Sequence, residues 1–381
     1  MNQKGRAWIE LDLHNLHHNV EELRKAAGAG CELMPAVKAN AYGHGAVPVS
    51  RALAGDGITS FCVASLGEGI ELREAGIRGM ILILGYTSPA DFPELLNYNL
   101  TQTVVDAACA DDLDRCGRKL GQRIPVHVGI DTGMHRLGER SSDLERILPL
   151  WEVDGIRIDG VFSHLCVSDG ITERERAFTM EQIRKFREVV EKIHSAGKSG
   201  FKTHLQGSYG LLNYPGAGFD FARPGIALYG AYSLPEDEKN TVFPADLRPV
   251  LSLKARVETV KMLRAGESAG YGLTYTAPSD RKIAVVSAGY ADGVPRNLSN
   301  CGHALVKGQK VPIVGRICMD QFTLDVTEVR NVFPGDEAVL IGRSGSREIS
   351  AAEMAQAAGT ISNEILSRLG SRPERIVFTQ I

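Results

Sequence analysis

The sequence predicts an α/β fold in which a (β/α)8 barrel is followed by a mainly β carboxyl-terminal domain. Between about residues 30 and 230, short apolar runs alternate with amphipathic stretches, which is typical of repeated β-α units. Beyond that region the pattern becomes strand-like. A chain of 381 residues can hold two domains with their own cores. The predicted domains are residues 1–242 and 243–381.

Eight candidate strands in the first region support the barrel. Between several of them lie helical patterns such as Glu173–Ala196, whose apolar residues recur every three or four positions. An open doubly wound sheet would need fewer strands and a Gly-rich dinucleotide turn, and no G-x-G-x-x-G follows the first strand. The candidate strands are Glu32–Val37, Ser60–Val63, Met80–Leu84, Thr103–Val105, Val126–Ile130, Asp159–Ser163, Lys202–Leu205 and Phe221–Ala222.

The second region begins after the polar stretch Ser233–Asn240, which is typical of a linker. Alternation of apolar and polar residues and short apolar runs then predict further strands. One late helix is predicted over Ala351–Leu369. The predicted strands of this region are Leu251–Thr259, Ile283–Val286, Val311–Val314 and Ala338–Leu340.

Composition excludes several classes of function. A formal net charge of −3 gives no basic surface for nucleic acid or anionic membranes. Seven scattered cysteines without a C-x-x-C pair predict reduced thiols in the cytoplasm and no metal site. No signal peptide is expected before Ala7, and the longest aliphatic run, Met80–Leu84, is too short to span a bilayer.

Lys38 is the first candidate catalytic residue. It closes an apolar run and precedes a turn-rich segment, Ala39–Gly45, so its amine is expected at the carboxyl end of a strand, where barrels build active sites. Apolar neighbours lower the pKa of an amine and favour Schiff-base chemistry. A solvated surface lysine is the alternative that these residues leave open.

The segment Ala36–Gly45 closely resembles the cofactor-lysine motif of alanine racemases, and the resemblance runs from Ala7–Leu11 to Asn363–Ile365. It implies a fold-type-III enzyme that depends on pyridoxal 5'-phosphate and racemises small amino acids. By this resemblance Lys38 carries the cofactor and Tyr42 contacts its phosphate.

Racemisation needs two acid/base groups on opposite faces of the reacting carbon. The segment Ala269–Thr276 resembles the second-base motif of the family, which assigns the second catalytic role to Tyr271. Its glycine neighbours alone would equally suit a surface turn. In the family this tyrosine comes from the partner subunit, so the resemblance also implies a homodimer with shared active sites.

Three further residues of the barrel inherit roles from the resemblance. Arg136, in Asp131–Gly138, would pair with the substrate carboxylate, to which a planar guanidinium is suited. Arg223 would face the pyridine nitrogen, and His164 would connect it to the tyrosine. An arginine leaves that nitrogen unprotonated, which limits electron withdrawal and favours proton exchange over transamination.

The remaining site residues concern phosphate and substrate. Ser208, Gly225 and Ile226 are implied to join Tyr42 around the phosphate, where backbone N–H groups of short loops can bind an oxyanion. In the second domain, Met319 would contact the substrate carboxylate region. Tyr290 would line the entrance.

Two positions depart from the family pattern. Gly129 stands where most members carry a lysine, often carbamylated, so a bound anion or another side chain, aided by His135, is expected to brace Arg136. Asn363 replaces a tyrosine, which opens volume beside the substrate and offers an amide to a hydroxyl. Both resemble the serine/alanine racemase branch of vancomycin-resistance racemases. The membrane domain typical of that branch is not expected here.

The predicted function is therefore racemisation of alanine and serine, supplying D-amino acids for peptidoglycan. Two alternatives remain. A fold-related decarboxylase would pair the pyridine nitrogen with a carboxylate instead of Arg223. A non-catalytic protein of pyridoxal-phosphate homeostasis would stop before a second domain and lack Tyr271.

Overall fold

The computed structural model describes residues 5–378. The strands in that range are β1 Ala7–Asp12, β2 Glu32–Leu33, β3 Ser60–Val63, β4 Met80–Ile83, β5 Thr101–Val104, β6 Ile124–Asp131, β7 Glu139–Arg140, β8 Ile156–Phe162, β9 Lys202–His204, β10 Phe221–Ala222, β11 Leu251–Leu263, β12 Ser268–Ala269, β13 Tyr275–Thr276, β14 Arg281–Val286, β15 His303–Val306, β16 Gln309–Val314, β17 Phe322–Asp325, β18 Glu337–Ser344, β19 Arg347–Ile349 and β20 Glu374–Phe378. The α-helices are α1 Leu13–Ala27, α2 Lys38–Tyr42, α3 Ala46–Gly55, α4 Leu66–Glu74, α5 Phe92–Asn97, α6 Ala107–Leu120, α7 Leu144–Ile147, α8 Glu173–Ser195, α9 Ser208–Asn213, α10 Ala351–Ala358 and α11 Ser362–Ser367.

Eight parallel strands form the predicted barrel, in the order β2-β10-β9-β8-β6-β5-β4-β3. A bridge between Ala36 and Cys62 closes the ring, with Val37 N–H donating to Cys62 O at 2.9 Å and Cys62 N–H donating to Pro35 O at 2.8 Å. The prediction of a (β/α)8 barrel is confirmed. Because all eight strands run in one direction, their carboxyl ends meet at one mouth, where loop side chains converge.

Local sequence explains the helices that surround the barrel. Thr172 and Glu175 form a capping box at the start of α8, which satisfies its first free N–H groups. Along α8 the apolar residues Ile183, Phe186 and Ile193 are buried against the strands. Such a buried stripe beside a charged outer face is what holds a helix of this kind in place.

The second sheet has nine strands in the order β19-β18-β15-β16-β17-β14-β11-β1-β20, which confirms the mainly β domain. Its members include β1, which pairs antiparallel with β11 and parallel with β20. The first strand of the chain therefore lies in the sheet of the carboxyl-terminal domain. The division near residue 242 stays a prediction.

The prediction of one late helix over Ala351–Leu369 is wrong. Two helices occupy this region, α10 and α11, and Gly359 separates them with a left-handed φ of 71°. A left-handed residue cannot continue a right-handed helix, so the chain turns there. The turn places Asn363 in the first turn of α11.

Within residues 5–378, no helix is both long and apolar enough to cross a membrane. The same residues contain no group of three or more His, Cys, Asp or Glu side chains arranged to hold a metal ion.

Candidate active site

A cavity of about 530 Å³ opens at the carboxyl ends of the barrel strands. Loops after these strands form most of its wall, and the start of α11 closes one side. Ten of the residues singled out from the sequence line it: Lys38, Tyr42, Gly129, Arg136, His164, Ser208, Arg223, Gly225, Ile226 and Asn363.

Lys38 is followed by a left-handed turn, so α2 is not a right-handed helix. The predicted strand Glu32–Val37 is regular only in β2, and the residues Ala39–Tyr42 all have φ near +50°. A left-handed conformation costs roughly 1 kcal/mol or more for each non-glycine residue. The Glu68 carboxylate offsets part of this cost, because it accepts from Ala39 N–H at 2.7 Å and from Ala64 N–H at 2.7 Å. The turn returns Tyr42 to the cavity beside Lys38.

The electrostatic surroundings of Lys38 favour a neutral amine. Burial lowers the pKa of Lys38, and the positive charges of Arg136 and Arg223 lower it further. A neutral amine is the form that attacks a carbonyl or takes a proton.

Arg223 is buried at the base of the cavity and orders two histidines. Its guanidinium donates to His204 Nδ1 at 2.5 Å and to His164 Nδ1 at 3.2 Å, and also to the carbonyl oxygens of Ser163 and Leu205. An arginine can only donate, so both Nδ1 atoms accept and both histidines carry their hydrogen on Nε2.

These tautomers determine where hydrogens point. His204 Nε2 donates to His127 Nδ1 at 2.7 Å. The Nε2–H of the cavity-lining His164 has no partner among the described residues, so it is available to a group that enters the cavity. Burial lowers the pKa of His164 to about 3, with Arg223 as the next cause, so the imidazole is neutral at physiological pH.

The predicted phosphate residues form a compact cradle. Ser208 Oγ accepts from Gly225 N–H at 2.9 Å, which ties the loop after β10 to the start of α9. A Cβ at Gly225 would lie 2.6 Å from Tyr42 Oη, so only glycine permits this approach. Burial raises the pKa of Tyr42 to about 12, which keeps its phenol protonated and able to donate to an oxyanion.

Three predicted residues of the second domain do not line the cavity. Tyr271 is 70% exposed, Met319 53% and Tyr290 42%. Tyr271 lies in a short turn between Gly270 and Gly272, whose φ values are 76° and 71°. Among residues 5–378 of one chain, the cavity thus contains Lys38 but no tyrosine from the β domain.

The two departures from the family pattern both lie at the cavity wall. A Cβ at Gly129 would meet the backbone oxygen of Val104 at 3.3 Å, a tight contact. His135 pairs with Asp131 at 2.8 Å, and no hydrogen bond or ion pair joins Arg136 to any residue in the range 5–378. The predicted brace for Arg136 stays a prediction.

Sequence reasoning missed His127, His204 and Glu68. His204 lies at the carboxyl end of β9, just as His164 lies after the carboxyl end of β8. This shared position at the barrel mouth could have marked His204 as a candidate site residue. His127 lies in mid-strand and Glu68 in a helix, where nothing local distinguishes them from structural residues. Their roles depend on contacts with residues far away in the chain.

We expect stability to fall as pH decreases from 6.5 towards 4. Burial lowers the pKa of His127 to about 4, whereas an unfolded histidine titrates near 6.5. Below pH 6.5 the unfolded chain therefore binds the proton first, which costs about 2 kcal/mol between pH 6.5 and 5 for such a group. Urea unfolding at pH 7, 6 and 5 measures this slope.

The variant His127→Gln should flatten that slope by about 1 kcal/mol per pH unit between pH 7 and 5. His194→Gln, a change at an exposed histidine of α8, is the matched control and should leave it unchanged. Equal slopes for the three proteins would contradict the assignment of a neutral, buried His127.

A buried lysine with a lowered pKa at the barrel mouth, the close packing of Tyr42, Ser208 and Gly225 beside it, and a buried arginine at the same cavity fit pyridoxal phosphate. Fold and site together define a pyridoxal-phosphate enzyme built from a barrel and a β domain. Residues 11–233 match the family "Alanine racemase, N-terminal domain", and residues 250–377 match "Alanine racemase, C-terminal domain". The chain belongs to the alanine racemase family.

Individual relatives agree with this assignment. An amino-acid racemase of Enterococcus faecalis is 44% identical over 96% of this chain, which spans about half, 51%, of that protein. An alanine racemase of Carboxydothermus hydrogenoformans is 41% identical over 97% of this chain and 98% of its own length. The crystal structure of alanine racemase from Bartonella henselae with covalently bound pyridoxal phosphate superposes with a TM-score of 0.84 at 29% identity, covering 98% of this chain and 100% of that one.

Proposed function

We propose that the protein is a pyridoxal-phosphate-dependent racemase that interconverts the enantiomers of alanine and of serine. The observation that carries the proposal is the placement of Lys38, with its lowered pKa, in one cavity with the Tyr42–Ser208–Gly225 cradle and Arg223. The names of the relatives, alanine racemase and amino-acid racemase, support the same reaction.

The cofactor, when bound, supplies the electron sink that makes the substrate α-hydrogen acidic. Lys38 holds it and moves a proton on one face of the α-carbon. Tyr42 and the Gly225 loop bind phosphate, and Arg136 orients the substrate carboxylate. Arg223 would face the pyridine nitrogen as a hydrogen-bond donor. No carboxylate pairs with its guanidinium among the described residues, which supports racemisation over the decarboxylase alternative.

The opposite face requires a second acid/base, which we assign to Tyr271 of the partner in a homodimer. In a single chain Tyr271 is exposed and lies outside the cavity, as a residue offered to another subunit would. The free Nε2–H of His164 supports the assignment because it can donate to a phenolate that enters the cavity. Met319 and Tyr290, exposed on the same domain, are assigned to the substrate carboxylate region and the entrance.

Serine activity is proposed from Asn363. This side chain lines the cavity, and its amide can hydrogen-bond to a hydroxyl that alanine lacks. The physiological product is proposed to be D-alanine and D-serine for peptidoglycan. A cytosolic location is proposed from the seven cysteines, which are all unpaired thiols.

The test is to incubate the purified protein and pyridoxal phosphate separately with L-alanine and L-serine. We expect both D-enantiomers and no carbon dioxide. Carbon dioxide would instead indicate a decarboxylase, and the absence of any product would indicate a binding protein.

A variant tests the serine assignment by itself. Asn363→Tyr should lower the ratio of kcat/KM for serine to that for alanine about tenfold, because it removes both the amide and the volume beside the substrate. An unchanged ratio would refute the role of Asn363 and leave alanine racemisation standing.

A further inference from the structure

Asn363 has one hydrogen-bond partner among the described side chains. Ser233 Oγ donates to Asn363 Oδ1 at 2.9 Å, although the two residues are 130 positions apart. Both side chains line the cavity that contains Lys38. The bond to Oδ1 sets the orientation of the Asn363 amide, and the two N–H donors of Nδ2 have no partner among the described residues.

The backbone of Ser233 is held from both domains. Its N–H donates to Tyr209 Oη at 2.6 Å on the barrel side. On the other side, its carbonyl oxygen accepts from Ser362 N–H at 3.0 Å and from Ser362 Oγ at 3.2 Å. These three bonds fix the place from which the Ser233 hydroxyl can reach Asn363.

Tyr209 is itself held by Asp237. Tyr209 Oη donates to Asp237 Oδ2 at 2.5 Å, and the same oxygen accepts from Leu234 N–H at 3.0 Å. Burial and then the hydrogen bond with Asp237 raise the pKa of Tyr209, so its phenol keeps the hydrogen that it donates. The segment Ser233–Asp237 is thereby tied to the start of α9, next to Ser208 of the phosphate cradle.

We propose that Ser233, held by Tyr209 and Asp237, is a positioning residue that selects substrates with a β-hydroxyl group. This role of Ser233 rests on the racemase function proposed above. The Ser233 hydroxyl keeps Oδ1 of Asn363 away from the substrate and turns the amide donors towards it. A serine hydroxyl can accept from such a donor, whereas the methyl group of alanine cannot.

The preference for serine over alanine should therefore depend on the orientation of the Asn363 amide as well as on the volume of the cavity. A freely rotating amide would present donor and acceptor in turn, and each orientation would have to be fixed on binding. An amide that is already fixed avoids this ordering cost. Only a substrate with a hydroxyl group gains from it, because only such a substrate bonds to the oriented donor. Removing the Ser233 hydroxyl should therefore affect serine more than alanine.

The experiment compares Ser233→Ala with wild-type holoenzyme. We expect the ratio of kcat/KM for serine to that for alanine to fall about fivefold, the effect of losing one oriented hydrogen bond. Ser233→Thr keeps the hydroxyl and should restore the ratio. In a protein that already carries Asn363→Ala, Ser233→Ala should no longer change the serine-to-alanine ratio. A merely structural role of Ser233 would not predict this loss of effect.

Ser142→Ala is the matched control, since Ser142 is exposed and its hydroxyl bonds to Asp143 outside the cavity. If Ser233→Ala leaves the ratio of kcat/KM for serine to that for alanine unchanged, whether or not both values fall, the proposal is overturned. Thermal unfolding of each variant separates a folding defect from an effect on preference.

The Ki of L-serine against alanine racemisation distinguishes this proposal from the function itself. If wild type racemises alanine but not serine, the serine activity is refuted. A fivefold higher Ki in Ser233→Ala would still support the positioning role, and an unchanged Ki would refute it.

Discussion

The change Lys38→Ala is expected to lower kcat for alanine racemisation by at least about 10⁴-fold in both directions, since it removes the covalent attachment of the cofactor and one of two proton-transfer groups. The structure explains why neither His164 nor an arginine of the cavity can substitute. Among the other residues of the cavity, His164 is held neutral with its Nδ1 engaged by Arg223, and an arginine cannot release its proton. The measurement is the rate of D-alanine formation from L-alanine, and of L-alanine from D-alanine.

A second measurement on Lys38→Ala is independent of activity. After borohydride reduction, mass spectrometry should find the cofactor on the peptide that contains Lys38 in wild type and on no peptide of the variant. Lys119→Ala, at an exposed lysine of α6, should behave like wild type in both measurements. Cofactor found on another lysine would contradict the assignment.

Much of the fold could be predicted because its signals are local. Each of the eight barrel strands overlaps a strand predicted from the sequence, and the lysine that follows the first of them marks the mouth where the cavity lies. The split between α10 and α11 was also visible in principle, since Gly359 stands inside the predicted helix. Thr360, which follows that glycine, is also a weaker helix former than the alanines before it.

The contacts that order the cavity could not be predicted in this way. Arg223 meets His204 across 19 positions, His204 meets His127 across 77, and Ser233 meets Asn363 across 130. The first two pairs form because the barrel brings its own strands together, and the third forms because α11 of the second domain reaches the barrel mouth. The guanidinium of Arg223, which can only donate, then decides the tautomers of His164 and His204, and no local pattern encodes that contact.

The role of Tyr271 cannot be recognised from contacts within one chain. Its motif was readable, yet one chain leaves the side chain exposed and outside the cavity that holds Lys38. A residue that serves another subunit carries no contact within its own chain that would reveal the role. The proposal of a shared site therefore needs a test in which the two residues are separated between subunits.

Mixing two inactive variants provides that test. Tyr271→Phe removes the hydroxyl that we assign to the second face, and it should lower kcat at least about 10³-fold. If each site takes Lys38 from one chain and Tyr271 from its partner, a heterodimer of Lys38→Ala and Tyr271→Phe chains contains one site with both residues intact. Refolding equal amounts of the two variants together should restore about a quarter of wild-type activity, because half of randomly formed dimers are mixed and each has one intact site.

The controls follow from the same geometry. Each variant refolded alone should stay inactive, and so should a double variant that carries both changes in one chain. If Lys38 and Tyr271 acted within one chain, every site in the mixed dimer would lack one of them and no activity would return. Recovery of about a quarter therefore requires that the phenol crosses the subunit boundary, which accounts for its exposure in the single chain.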